Sequence, residues 1–246
     1  MKKILLPLLL GFITVIVAGH LFAGDKNKLN MKYTQTRDIS SFHSIKVSSM
    51  FNVYVSPGTS SKLEIKATHD LLNKIQTNVE NGELIINMDK SDCIRNNFYK
   101  NLEINIYVSC DHLRRIRASG ATDVYSTGLL RADDLDISVS GASDVKMDVQ
   151  VSHILKCSAS GSSDIKLSGS ASSADLTASG ASDIDFKKFF IKTANVVASG
   201  SCDIILNVSE SLTAKASGAC DIVYYGDPKT TNVHAGGSSD IVRRVK

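Results

Sequence analysis

Ser119-Gly120-Ala121-Thr122-Asp123-Val124 returns along the chain as Ser140-Gly141-Ala142-Ser143-Asp144-Val145, Ser160-Gly161-Ser162-Ser163-Asp164-Ile165 and Ser179-Gly180-Ala181-Ser182-Asp183-Ile184. Three more copies follow: Ser199-Gly200-Ser201-Cys202-Asp203-Ile204, Ser217-Gly218-Ala219-Cys220-Asp221-Ile222 and Gly236-Gly237-Ser238-Ser239-Asp240-Ile241. Successive aspartates lie 21, 20, 19, 20, 18 and 19 residues apart, a period near twenty that drifts by a residue or two. Such drift belongs in loops.

Before each hexad, apolar and polar positions alternate, as in Leu135, Ile137, Val139 and Leu155, Cys157, Ala159. After each aspartate a shorter alternation begins, as in Val145, Met147, Val149 and Ile204, Leu206, Val208. This is the period of a strand with one buried face, so each repeat holds two strands bent at Ser-Gly. Twenty residues cannot bury a core alone. Stacked copies turn each alternating position into an interior column, Ala before the turn and Val/Ile after it. A barrel or sandwich also accommodates short alternating strands with Gly turns, but hairpin folds have no reason to repeat one hexad at one position of every second strand. The expected fold is an all-β β-solenoid, resembling a right-handed β-helix with about 20 residues per coil, its coils about 4.8 Å apart.

From Phe42 to Val108 the apolar residues become larger, and Asn81-Gly82 between Val79 and Leu84 is a hairpin signal. Val47-Ser48-Ser49-Met50-Phe51-Asn52-Val53 aligns with Ala178-Ser179-Gly180-Ala181-Ser182-Asp183-Ile184, with Asn52 in the aspartate position. The expected organisation is a signal peptide at 1–23, a linker at 24–39, an irregular and partly antiparallel β capping region at 40–110, and solenoid repeats at 111–246. The cap would cover an exposed edge of the stack, and Arg243, Arg244 and Lys246 would discourage end-to-end stacking.

Met1-Lys2-Lys3 followed by apolar Ile4 to Ala18 and small residues at Ala18, Gly19 and Ala23 reads as a secretory leader, with an uncleaved anchor as the competing reading. The mature chain would then carry no membrane span and face the periplasm, the outer membrane surface or the exterior. The net charge of +3 falls to +1 once Lys2 and Lys3 are removed, so no nucleic-acid partner is expected.

With these segments in view, and with Phe42-His43-Ser44-Ile45-Lys46-Val47 and Val53-Tyr54-Val55 ahead of the repeats, the chain resembles the head GIN domain family of putative auto-transporter adhesins over roughly 39–245. The resemblance implies an exported β-helical domain. It brings no agreed ligand or catalytic residues. Nothing in the chain reads as a membrane barrel, so self-translocation is not expected.

The turn residues Gly120, Gly141, Gly161, Gly180, Gly200, Gly218 and Gly237, with Asp123, Asp144, Asp164, Asp183, Asp203, Asp221 and Asp240, are the candidate structural sites. At about 4.8 Å, neighbouring carboxylates repel by about 0.9 kcal/mol in water and about 3.5 kcal/mol at an effective dielectric of about 20. Each Asp therefore either accepts hydrogen bonds from turn N–H groups and Ser hydroxyls or shares bridging cations; the turn role is adopted, with no cofactor or metal. The cysteines, Cys93, Cys110, Cys157, Cys202 and Cys220, are odd in number. Cys157 reads as a core residue, Cys202 and Cys220 in adjacent coils form a possible disulfide, and Cys93 with Cys110 is a weaker pairing. No nucleophile, zinc or phosphate-loop motif is present, so the chain is not expected to be an enzyme. The functional expectation is a non-catalytic envelope protein whose repetitive Ser/Asp-rich surface binds an unidentified surface glycan or protein. The alternatives are a self-associating structural protein, forming a homo-oligomer, and a glycan-active β-helix enzyme.

Overall fold

Where the alternating runs meet in the chain they become continuous strands. In the computed structural model, which describes residues 32–58, 62–88 and 103–245, the repeats supply β11 (Asp144–Gly161), β12 (Asp164–Gly180), β13 (Asp183–Gly200) and β14 (Asp203–Gly218). Each runs from the aspartate of one hexad to the glycine of the next. Earlier in the chain come β8 (Arg115–Gly120), β9 (Asp123–Ala132) and β10 (Leu135–Gly141); later come β15 (Asp221–Tyr225), β16 (Thr230–Ala235) and β17 (Asp240–Arg243). All pairings between these strands are parallel, with Gly120 beside Gly141, Gly141 beside Gly161, and Asp144 beside Asp164 and Asp164 beside Asp183. The result is a β-solenoid of about six turns.

Stacking makes the interior columnar. Ile116, Ile137, Cys157, Leu176, Val196 and Ala214 form one buried column; Val124, Val145, Ile165, Ile184, Ile204 and Ile222 form another. Each buried Val, Leu or Ile contributes about 1.5–3 kcal/mol, and none of it is available to an isolated coil. Beside the glycine kink the column narrows to Ala118, Val139, Ala159, Ala178, Ala198 and Ala216, all buried. A small side chain is what the tight bend leaves room for.

The drifting period is absorbed mainly inside strands, whereas the spacing placed it in loops; only the last repeat takes its extra residue in the connection between β15 and β16. Register shifts fall between Val151 and Ile154 where β11 meets β12, and between Asp185 and Phe190 where β13 meets β14. A bulge adds residues while the flanking ladder keeps its register, so the hexads stay aligned. At the second bulge Phe186 and Phe189 both turn inward and pack at 5.1 Å between ring centroids, leaving Phe190 outside.

Before the repeats lie β1 (Tyr33–Asp38), β2 (Ser44–Ser49), β3 (Asn52–Pro57), β4 (Lys62–Ala67), helix α1 (His69–Leu72), β5 (Ile75–Glu80), β6 (Glu83–Met88) and β7 (Asn105–Cys110). β5 and β6 form the Asn81-Gly82 hairpin, Asn81 and Gly82 both with positive φ. β4 is antiparallel to β1 and β7. The same region also carries a true coil: β2 pairs parallel with β8, setting Ser49 on Gly120, and β3 pairs parallel with β9, setting Asn52 on Asp123. The degenerate hexad is thus a stacked one. Ser49 holds φ at +138° in the glycine position; the pairing of β2 with β6 on its other side extends only from Ser44 to Val47.

Tyr33–Asp38, inside the stretch read as a linker, are a strand by pairing along their whole length with β4, and Arg37 ties them to the neighbouring segments. Its guanidinium donates to the carbonyl oxygens of Leu72 (2.9 Å) and Ile75 (2.8 Å), to Thr77 Oγ1 (2.8 Å) and to Gln35 Oε1. The leader read at 1–23 and Cys93 lie outside the described residues. Among the described residues no helix is long and apolar enough to cross a membrane.

Candidate functional site

The hexad turn is built by close approach between coils. Gly161 has φ +84°, and a Cβ there would stand 2.7 Å from the carbonyl oxygen of Gly141 and 3.1 Å from its nitrogen. That carbonyl accepts the Ser162 N–H at 2.8 Å. The contact recurs from Gly120 to Gly237, with the added Cβ at 2.5–2.7 Å from the oxygen below each time. The next inward position is polar: Thr122, Ser143, Ser163 and Ser182 are fully buried, and Cys202 and Cys220 continue the ladder. The Ser163 hydroxyl donates to Ser160 O at 2.8 Å, and the Ser182 hydroxyl to Ser179 O at 3.0 Å.

Cys202 and Cys220, for which a bridge was an open possibility, are free thiols in the same role. Their sulfurs donate to Ser199 O at 3.2 Å and Ser217 O at 3.3 Å, each turned back along its own coil rather than joined to its neighbour. Cys110 and Cys157 are likewise free and buried. Burial pushes the Cys110 thiol up to about 11 and the Cys157 thiol well above its ordinary value.

The aspartates point outward. From Asp144 to Asp240 they are exposed, with Asp123 half-buried. Asp144 Oδ1 accepts the Asp164 N–H at 3.2 Å, Asp164 Oδ1 the Asp183 N–H at 3.3 Å, and Asp183 Oδ1 the Asp203 N–H at 3.0 Å. These three carboxylates therefore serve the turn backbone of the next coil rather than of their own. Burial, then the carboxylates on either side, hold Asp164 and Asp203 above the usual carboxylate range. One outward position further on, Tyr107, Tyr54 and Tyr125 stack, with centroids 4.9 Å and 5.4 Å apart, and Lys66 Nζ sits 4.6 Å from the Tyr107 centroid. Aligning Asn52 with Asp123 would have paired Tyr54 with Tyr125; Tyr107, outside any hexad, carries no such signal.

The concave feature lies at the opposite corner of the coil, where one inward run gives way to the next. A groove of about 950 Å³ is walled by Asp111–Arg115, Arg131–Asp136 and residues from Gln150 to Lys156. Its floor includes buried Leu113 and Leu135. The walls alternate in sign: Arg114, Arg115, Arg131 and Lys156 face Asp111, Asp133, Asp134 and Asp136. Arg115 Nε donates to Asp136 Oδ2 at 3.0 Å, Arg131 donates to Gln150 Oε1, and Asp134 Oδ1 accepts the Ile154 N–H at 3.1 Å. Gln150 and Ser152 also line a shallower trough of about 340 Å³ that continues past Ser170, Ser172 and Phe190 to Asn207 and Ser209. Phe190 is 56% exposed and Ile154 41%. None of these corner residues belongs to a hexad.

The repeats form a solenoid of parallel coils with glycine-tight turns, and an open trough lined largely by polar side chains runs along one corner. The chain belongs to the family described as putative auto-transporter adhesin, head GIN domain, whose model matches residues 41–228. The structure of a putative adhesin from Bacteroides fragilis is similar at TM-score 0.80 and 26% identity, covering 87% of this chain and 98% of that one. A putative adhesin from Parabacteroides merdae (TM-score 0.65, 17% identity, 87% and 97% covered) shares the fold. So does a putative lipid binding protein from Parabacteroides distasonis (0.62, 18%, 87% and 97%). No curated protein matches.

Proposed function

We propose that the chain is a non-catalytic, exported binding module of the adhesin type that holds an extended, hydroxyl-rich glycan along the corner groove. The observation that carries this reading is the groove's course: its walls come from six successive coil levels, from Asp111 to Ser209, a track of about 24 Å at the spacing of stacked strands. In the middle hexads the polar groups are already engaged: the hydroxyls of Thr122, Ser143, Ser163 and Ser182 are buried and the Asp144, Asp164 and Asp183 carboxylates each accept a backbone N–H, so this stretch of the repeat face offers a partner less than the corner does.

The groove's chemistry favours a neutral polymer. Four cationic and four acidic side chains balance in the wide part, and serines with Asn207 and a single cation, Lys192, line the narrow part beside exposed Phe190. Alternating donors and acceptors beside an aromatic face suit the alternation of hydroxyls and C–H surfaces on sugar rings. Binding would be weak at each level and gain strength from several levels engaged on one chain. Export is supported by the apolar leader pattern and by the family.

Titration of the exported chain with neutral oligosaccharides of increasing length tests the reading. Affinity should rise with length and fall about tenfold or more in Phe190→Ala and Arg131→Ala, while Asp164→Asn binds normally. Binding lost in Asp164→Asn but kept in the groove variants would transfer the site to the repeat face. Cleavage of the oligosaccharide would replace binding with catalysis.

A further inference from the structure

The two ends of the solenoid differ. At the first end β1, β4 and the β5–β6 hairpin cover the stack. At the other, β16 pairs with β14 and β17 with β15, and among the described residues nothing pairs with their outer edges. Every residue of β16 is exposed, and Val233, in the column of buried Val196 and Ala214, is 43% exposed. Natural edges are blunted by charge or proline. β16, Thr230-Thr231-Asn232-Val233-His234-Ala235, has no Lys, Arg, Asp, Glu or Pro. In β17 the side chain of Arg243 is drawn back onto its own chain, donating to Gly226 O at 2.9 Å and pairing with Asp227 at 2.9 Å.

We infer that this edge pairs with the same edge of a second copy, antiparallel about a two-fold axis through Val242. The register follows from backbone direction. The N–H groups of Asp240 and Arg244 already point inward, to Cys220 O (3.0 Å) and Tyr224 O (2.9 Å). Alternation then turns the N–H and C=O groups of Ile241 and Arg243 outward. In an antiparallel pair, opposed residues must both face the partner backbone or both face away. Centring on Val242 meets that condition: Ile241 and Arg243 of the two copies exchange hydrogen bonds, and Val242 meets its counterpart. Asp240 of each copy then stands opposite Arg244 of the other, both on the outward side with Val242, which is 47% exposed. The strand is therefore complementary to itself in charge as well as in hydrogen bonding. Because the two-fold pairing uses up the same edge on both copies, it closes at two copies and builds no filament. The cationic tail, expected to prevent end-to-end contact, supplies half of the ion pairs instead.

Sedimentation equilibrium of the exported chain is expected to show a reversible dimer. Val242→Lys sets two like charges against each other at the axis and should weaken the dimer at least about tenfold. Asp240→Arg should weaken it and Asp240→Arg with Arg244→Asp should restore it, a rescue that a merely misfolded end coil would not give. Circular dichroism melts of each variant confirm that the stack is intact. A chain that stays monomeric at its highest soluble concentration, a dimer indifferent to these changes, or growth into longer oligomers would each overturn the inference.

Discussion

Replacing Gly161 by alanine probes the contact on which every coil depends. The φ of +84° is disfavoured for an L-residue by about 1–2 kcal/mol. The new Cβ would also lie 2.7 Å from Gly141 O, closer than real Cβ contacts, and that oxygen is backbone held by the Ser162 N–H at 2.8 Å. It can retreat only by weakening the inter-coil bond, a further loss of about 1 kcal/mol. The expected destabilisation is about 2–3 kcal/mol, or about 5–10 °C in Tm for a chain of this size. The neighbouring pair Gly236 and Gly237 supplies an internal comparison. At Gly237, with φ +74° and Gly218 O at 2.6 Å, alanine should be costly; at Gly236 a Cβ meets only Ala216 O at 3.9 Å, so alanine should change stability by no more than about 0.5 kcal/mol. Urea and thermal melts followed by circular dichroism provide the readout. Coincident melts for Gly161→Ala, Gly237→Ala and Gly236→Ala would refute the claim that close approach, rather than turn composition, selects glycine here.

The aspartate row predicts a pH dependence. Asp164 and Asp203 titrate above the unfolded value of about 3.9, so the native row binds protons more tightly than the unfolded chain. Their contribution makes stability rise as pH falls from neutral through the raised native values, levelling off below the unfolded one. Asp185 works the other way at lower pH: despite burial, Lys166 and the Lys187 N–H hold it below the usual range. Asp164→Asn keeps an acceptor for the Asp183 N–H and removes one charge, so it should gain about half a kcal/mol at pH 7 and flatten the profile; lower stability at pH 7 would rule out repulsion as the governing effect. For the thiols, Cys202→Ser and Cys220→Ser should each change stability by less than about 1 kcal/mol, because serine makes the same bond at Ser163. Cys110, Cys157, Cys202 and Cys220 should resist thiol reagents in the native protein and react on unfolding, as a timed mass-spectrometric labelling would register.

What could be read from residue order was whatever recurs at a fixed offset. The alternation around Ile165 and Ile184 told which positions enter the core, and the hexads told that one coil sits on another, even at Ser49 and Asn52 where two of the marker residues have changed. The buried Ser/Thr/Cys ladder was implicit in the same parity, since Ser163 lies two residues before inward Ile165. The groove was not legible, because Arg131, Ser152 and Phe190 share no motif and meet only through the stacking of remote segments. Nor did spacing reveal that most of the drift lies in bulges: a one-residue insertion has the same length in a loop or in a strand, and only the register of the neighbouring coil distinguishes them.

The glycine ladder has an evolutionary corollary. Because the surface between one hexad and the next has nearly the same shape at every level, recombination between two hexads that removes or duplicates the stretch between them leaves a junction of the same kind. Reach can then change by a whole storey, about 4.8 Å at a time, without redesigning a core, and the copy number of the repeat becomes a heritable ruler.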